Sequence, residues 1–130
     1  MSETLEVIDG TAVLLCSTEG DAVRGERDAS DLIGNAFHLD AAWVALPVER
    51  LADDFFELRT RVAGDITQKF VNYRIGLAVI GDITERTAAS ASLRDFVREA
   101  NQGRHLWFLP DLDALRTRLT TKAGGHTAST

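Results

Sequence analysis

The chain has 130 residues, 45% hydrophobic and 26% charged, the make-up of one ordinary globular domain around a single core. A net charge of −6 argues against a nucleic-acid binder or a polybasic membrane surface, since both need clustered Lys and Arg. One cysteine rules out an intrachain disulfide, and no apolar run reaches membrane-spanning length.

The first ten residues carry no basic region and no long apolar core, so no secretory signal is expected and the predicted location is the cytoplasm. Residues 4–9 alternate, with Leu5 and Val7 on one side. Asp9-Gly10 is a strong two-residue hairpin signal, because both central positions of that turn need positive φ. Residues 11–16 read as a second, more apolar strand, in which Cys16 is a buried thiol rather than a reactive one. Residues 20–27 are polar, with two glycines, and read as a loop or frayed turn. Asp28 or Ser30 then caps a helix running to about Phe37, with Ala29, Leu32, Ile33 and Ala36 inward. Residues 41–46 form a third strand that stops at Pro47.

A long amphipathic helix follows from Asp53 to about Arg74, with Phe55, Leu58, Val62, Ile66, Phe70 and Tyr73 on one face. Acidic residues fill its first turn and basic ones its last, as the helix dipole prefers. Residues 75–80 are a fourth, wholly apolar strand closed by Gly81-Asp82. Ser92 is expected to cap a helix with Leu93, Phe96, Val97 and Ala100 inward, stopped by Asn101 and Gly103. Residues 105–109 are a fifth strand, and Pro110-Asp111 starts a last helix with Leu112, Leu115 and Leu119 inward. Residues 120–130 are small and polar and read as a flexible tail, which leaves one domain over residues 1–119. The predicted class is α/β: a five-stranded mixed sheet, an antiparallel hairpin followed by parallel strands, with four helices.

Stretches spread along the chain resemble a family. They include Leu46-Pro47-Val48-Glu49-Arg50-Leu51, Asp54-Phe55-Phe56, Ala63-Gly64-Asp65-Ile66, Gln68-Lys69-Phe70, Asn72-Tyr73, Leu93-Arg94-Asp95-Phe96-Val97 and Trp107-Phe108. Together they look like a bacterial family of unknown function, domain-of-unknown-function family 4180, and the likeness reaches almost to Leu119. It implies no activity, cofactor or catalytic residue. The element order is also similar to that of the STAS domains, protein-binding regulatory modules of which some are switched by phosphorylation at the start of the helix after the third strand. Here that place reads Leu51-Ala52-Asp53-Asp54, with no hydroxyl and with fixed carboxylates instead.

Asp54, Glu57, Asp82, Asp95 and Glu99 are the carboxylates available near strand ends for acid–base work, with Asp54, Asp82 and Asp95 as candidate catalytic residues. Asp53, Asp54 and Glu57 also serve as dipole-matched helix starters, and Gly81-Asp82 as a plain turn. Thr60, Gly64 and Gln68 share one stripe of the long helix. A mid-helix glycine there asks for a close backbone or a ligand, so with Asn72 and Tyr73 they form a candidate ligand or interface surface. His38, His105 and His126 share no ligand spacing, so neither a metal nor a cofactor is expected. Trp43, Trp107 and Phe108 read as core, and Arg94, Arg98 and Arg104 as a solvated face.

The preferred reading is a regulatory module that works through protein contacts, with a small enzyme or ligand-binding domain as the alternative. A two-fold dimer is expected on the argument that three crossovers stack their helices on one face and leave the other apolar face open. A crossover that switches side, or the N-terminal hairpin and the loop of residues 20–27 folding across, would cover that face instead.

Overall fold

The computed structural model describes residues 3–128, with side chains through Thr120. β1 (Glu3–Ile8) and β2 (Thr11–Cys16) pair antiparallel, with Ile8 opposite Thr11. Asp9 and Gly10 join them at φ of 50° and 84°, the left-handed geometry the hairpin turn demands. β3 (Trp43–Pro47), β4 (Gly76–Ile80) and β5 (Leu106–Leu109) then add in parallel, so spatial order follows chain order. The helices are α1 (Glu26–His38), α2 (Asp53–Phe56), α3 (Val62–Asn72), α4 (Thr84–Ala89), α5 (Ala91–Gln102) and α6 (Leu112–Ala128). The expected mixed sheet is present, and α1, α3, α5 and α6 are the four long helices. Among the described residues no helix is long and apolar enough to cross a membrane.

Strand residues alternate cleanly between two cores. Leu14, Cys16, Val44, Leu46, Leu77, Val79, Leu106 and Phe108 face the side that carries α1, α2, α3 and α5. Val13, Trp43, Ala45, Ala78 and Trp107 face the other side, where Leu115 and Leu119 of α6 cover them. Arg116 anchors that helix to β1 through a two-pronged pair with Glu6, at 2.8 and 3.0 Å. Arg118 lies 4.1 Å above the Trp107 ring and also donates to the Asn101 carbonyl. The crossovers do stack on one face, but the second face is not open. The last helix closes it, which removes the apolar-face argument for a dimer. Neither a switched crossover nor the hairpin with the loop of residues 20–27 is responsible, and Val23 of that loop enters the core on the α1 side.

The long helix expected from Asp53 is two helices. Glu57 is extended at φ −97°, ψ 99°, residues Leu58–Thr60 form a 3-10 turn, and Arg61 has φ of 67°. The Thr60 hydroxyl lies 2.7 Å from the carbonyl oxygens of both Asp54 and Glu57, so a side chain satisfies acceptors that a continuing helix would have used. Periodicity hides this break because Phe55, Ile66 and Phe70 on its two sides enter the same core. α4 is also additional, and the cap of α5 is Ser90, whose Oγ accepts from Leu93 N at 3.1 Å, rather than Ser92. α6 runs to Ala128, past the expected end at Leu119 and through Gly124-Gly125; residues 129–130 lie outside the description.

The loop of residues 17–25 is ordered by Arg50, a buried charge whose Nε donates to Asp21 O at 2.7 Å and Nη1 to Ser17 O at 3.0 Å. Gly20 lies against that guanidinium, where a Cβ would sit 2.9 Å from Cζ. A parallel bridge between Val23 and Leu51 completes the join.

Candidate functional site

A cleft lies on each side of the sheet at the ends of β4 and β5, and Gly81 and Pro110 border both. One, of about 330 Å³, lies between the β4–α4 connection and α5; Asp82, Thr84, Thr87, Arg94 and Arg98 line it above Ile83, Val97, Phe108 and Leu109. Gly81 makes the turn possible, with φ of 147° and Val48 so close that a Cβ would lie 2.6 Å from its Cγ1. Asp82 Oδ1 accepts from Thr84 N at 2.9 Å and from Thr84 Oγ1 at 2.7 Å. Those bonds, the backbone one foremost, hold its carboxyl below the usual range. Across the cleft, Arg94 Nε and Arg98 Nη2 approach the same oxygen, Asp95 Oδ1, at 3.9 and 3.2 Å.

The second cleft, of about 360 Å³, opens on the α6 side, with Leu15, Ala45 and Ile80 inside and Thr18, Glu49 and Asp111 around it. Cys16 borders it, but burial pushes the thiol up to about 12, which keeps the proton on sulfur and makes it a poor nucleophile. A third hollow of about 310 Å³ separates α3 from α5 and contains Glu99, Arg104 and His105. Thr67 Oγ1 lies beside it, buried and without a hydrogen-bond partner.

The candidate carboxylates are therefore dispersed. Asp82 lines the first cleft, Asp95 meets it only through its arginines, and Asp54 lines none of the three. Glu57 pairs with Arg59 at 3.2 Å, and Asp53 with Arg86 at 3.0 Å, beside the contact of Arg86 over the Phe56 ring. His38 ends α1 and His105 borders the third hollow, and His126 lies beyond the described side chains. Among the described residues no three metal-ligating side chains gather.

Thr60, Gly64 and Gln68 are not one stripe of a single helix, because Thr60 precedes α3. Gly64, Gln68 and Asn72 do form an exposed stripe, and Gln68 Nε2 donates to Asn72 Oδ1 at 2.9 Å. A Cβ on Gly64 would meet nothing within 4 Å, so close packing is not its reason. Tyr73, 52% exposed, shares a shallow hollow with Ser30, Ile33, Gly34 and Phe37.

Sequence reasoning missed the exposure of Phe37 and Leu39, at 66% and 44%. The signal was available for Phe37, which falls off the inward stripe of α1. Leu5 and Val7, at 42% and 64%, lie opposite Leu14 and Ala12 and so point to the α1 side of the sheet. Asn101 was read only as a helix stop. Its Oδ1 accepts from Phe108 N at 2.7 Å and its Nδ2 donates to Phe108 O at 3.3 Å, so one side chain imitates a neighbouring strand along the outer edge of β5.

No curated protein and no solved structure matches the chain. A family model described as Domain of unknown function (DUF4180) matches residues 8–119, from the last residue of β1 through β2–β5 into α6, and the chain belongs to that family.

Proposed function

We propose that the protein is a non-catalytic regulatory module that works through protein contacts, in the manner of a STAS-like domain, and that its first partner is a second copy meeting it at β1. One contrast carries this reading: the two edges of the sheet are finished differently. Asn101 occupies the backbone groups of Phe108 on β5, whereas among the described residues β1 pairs only with β2. The hairpin turn makes Ile8 and Thr11 a hydrogen-bonded pair, so bonded pairs alternate back to Glu6 and Thr4. Ala12 O already accepts from Ala42 N of the β3 side at 2.8 Å, in keeping with that alternation. The N–H and C=O groups of Leu5 and Val7 then point away from the sheet.

A two-fold antiparallel pairing centred on Leu5 sets Leu5 against its copy and Glu3 against Val7, so like charges do not meet directly. Leu5 and Val7 are exposed on the helix-bearing side of this edge, whereas Phe37 and Tyr73 share a hollow on the flank of α1 opposite Asn35, which donates to Glu3 of β1, so the contact rests on strand hydrogen bonds and the side chains of Leu5 and Val7. Sedimentation velocity of the purified chain across micromolar concentrations tests the reading. We expect a dimer that Val7→Lys dissociates; a wild-type chain that stays monomeric, or a dimer indifferent to Val7→Lys, overturns it.

A second reading, a ligand-binding domain, is favoured by the charged cleft beside Asp82.

A further inference from the structure

We infer that the cleft between the β4–α4 connection and α5 binds a small dipolar molecule with an apolar side chain, of the class of the free α-amino acids. The inference rests on the ligand-binding reading of that cleft and not on contact at β1.

The cleft separates opposite charges that do not neutralise each other. Asp82 stands at the end of β4, and Arg94 and Arg98 stand one turn apart on α5, yet neither arginine forms an ion pair with Asp82. Both arginines instead share a single oxygen of Asp95, one at 3.2 Å and the other too far for a hydrogen bond at 3.9 Å. A guanidinium has five N–H donors, so with one oxygen of Asp95 near them most donors of these exposed side chains face water and are open to exchange for a ligand. A ligand carboxylate would meet this surplus with charge-assisted bonds. On the opposite wall, Asp82 spends one oxygen on Thr84 and keeps the other for a donor. As an ionised carboxylate lining the cleft it suits an ammonium group.

Between the charged walls the floor is apolar, formed by Phe108, Val97 and Ile83. At about 330 Å³ the space is at the lower end for ligand pockets and is enough for one amino acid. A simple anion would satisfy the arginines but be repelled by Asp82, and an amine would meet the reverse. Only a molecule carrying both charges matches both walls.

Titration of the isotope-labelled chain with L-leucine, followed by backbone NMR, tests this directly. The expected result is saturable shifts centred on Ile83, Thr84, Thr87 and Val97. N-acetyl-leucine, which lacks the ammonium, and leucinamide, which lacks the carboxylate, should each bind at least about tenfold more weakly. Arg94→Gln with Arg98→Gln should abolish the preference for the free acid over the amide. Asp82→Asn, which keeps the bonds to Thr84, should abolish the preference for leucine over its N-acetyl form. These side chains are solvent-exposed, so the variants should retain the wild-type spectrum elsewhere. No shifts at about 10 mM leucine, shifts centred elsewhere, or equal binding of the three compounds would overturn the inference.

Discussion

Replacing Gly76 with Ala should destabilise this protein far more than its small size suggests. Gly76 is the cross-strand partner of Trp43, and the indole lies flat over the space where a side chain would be. A Cβ there would stand 2.4–2.5 Å from three ring atoms, Cδ2, Cε2 and Cε3. The ring has little room to retreat. It stacks on Trp107 at 4.1 Å between centroids, Trp107 is fully buried, and Arg118 covers Trp107 in turn. Overpacking a core costs about 1–3 kcal/mol, and a rigid neighbour supported from behind places this case at the upper end. A loss of about 3 kcal/mol lowers Tm by roughly 10 °C for a domain of this size. Urea denaturation followed by tryptophan fluorescence measures it, and Trp43→Leu completes a double-mutant cycle. The glycine should matter only while the indole is present, so the cycle should show coupling of about 1–3 kcal/mol. Gly76→Ala within about 0.5 kcal/mol of wild type, or additive losses in the cycle, would refute this account of the second core.

Gly64→Ala should have the opposite sign: the position is exposed, helical and open, so α3 gains about 0.5–1 kcal/mol from propensity, and a lower Tm would show an unseen contact. Cys16 should resist alkylation in the native protein at pH 8 and react on unfolding, and native labelling at the rate of a free thiol would contradict its burial. Arg116, chiefly through its hydrogen bonds, holds the Glu6 carboxyl below the ordinary glutamate range. Its folded pKa is thus the lower one, so the stability it contributes is complete above the unfolded pKa and disappears as pH falls through the folded one. Glu6→Gln should therefore be less stable than wild type at neutral pH and converge with it in acid; a gap that persists in acid would exclude this pair as the cause.

The contrast between the two glycines shows what was legible in the chain. Strand order, pairing directions and the inward residues of α1 and α5 follow from periodicity and turn residues, which act locally. The need for Gly76 does not, because it arises from an indole 33 positions earlier in the chain that meets it only across the sheet. The same limit hid the role of Asn101, which caps a neighbouring strand rather than its own helix alone, and of Arg50, whose partners are loop carbonyls. The break at Thr60 was obscured because the apolar register continues through it. Asp82 could be placed at a strand end from Gly81-Asp82, but its opposition to Arg94 and Arg98 requires α5 to fold back beside β5. The second face was misread because a helix after the last strand need not follow the rule that directs crossovers, and α6 crosses to the side they leave free.

Amide hydrogen exchange of β1 at low and high protein concentration tests the central claim most directly. If copies meet at this edge, the outward amides of Leu5 and Val7 exchange quickly in dilute solution and become protected as concentration rises, while Glu6, bonded to β2, is protected throughout. Rapid exchange of Leu5 and Val7 at every concentration would contradict it.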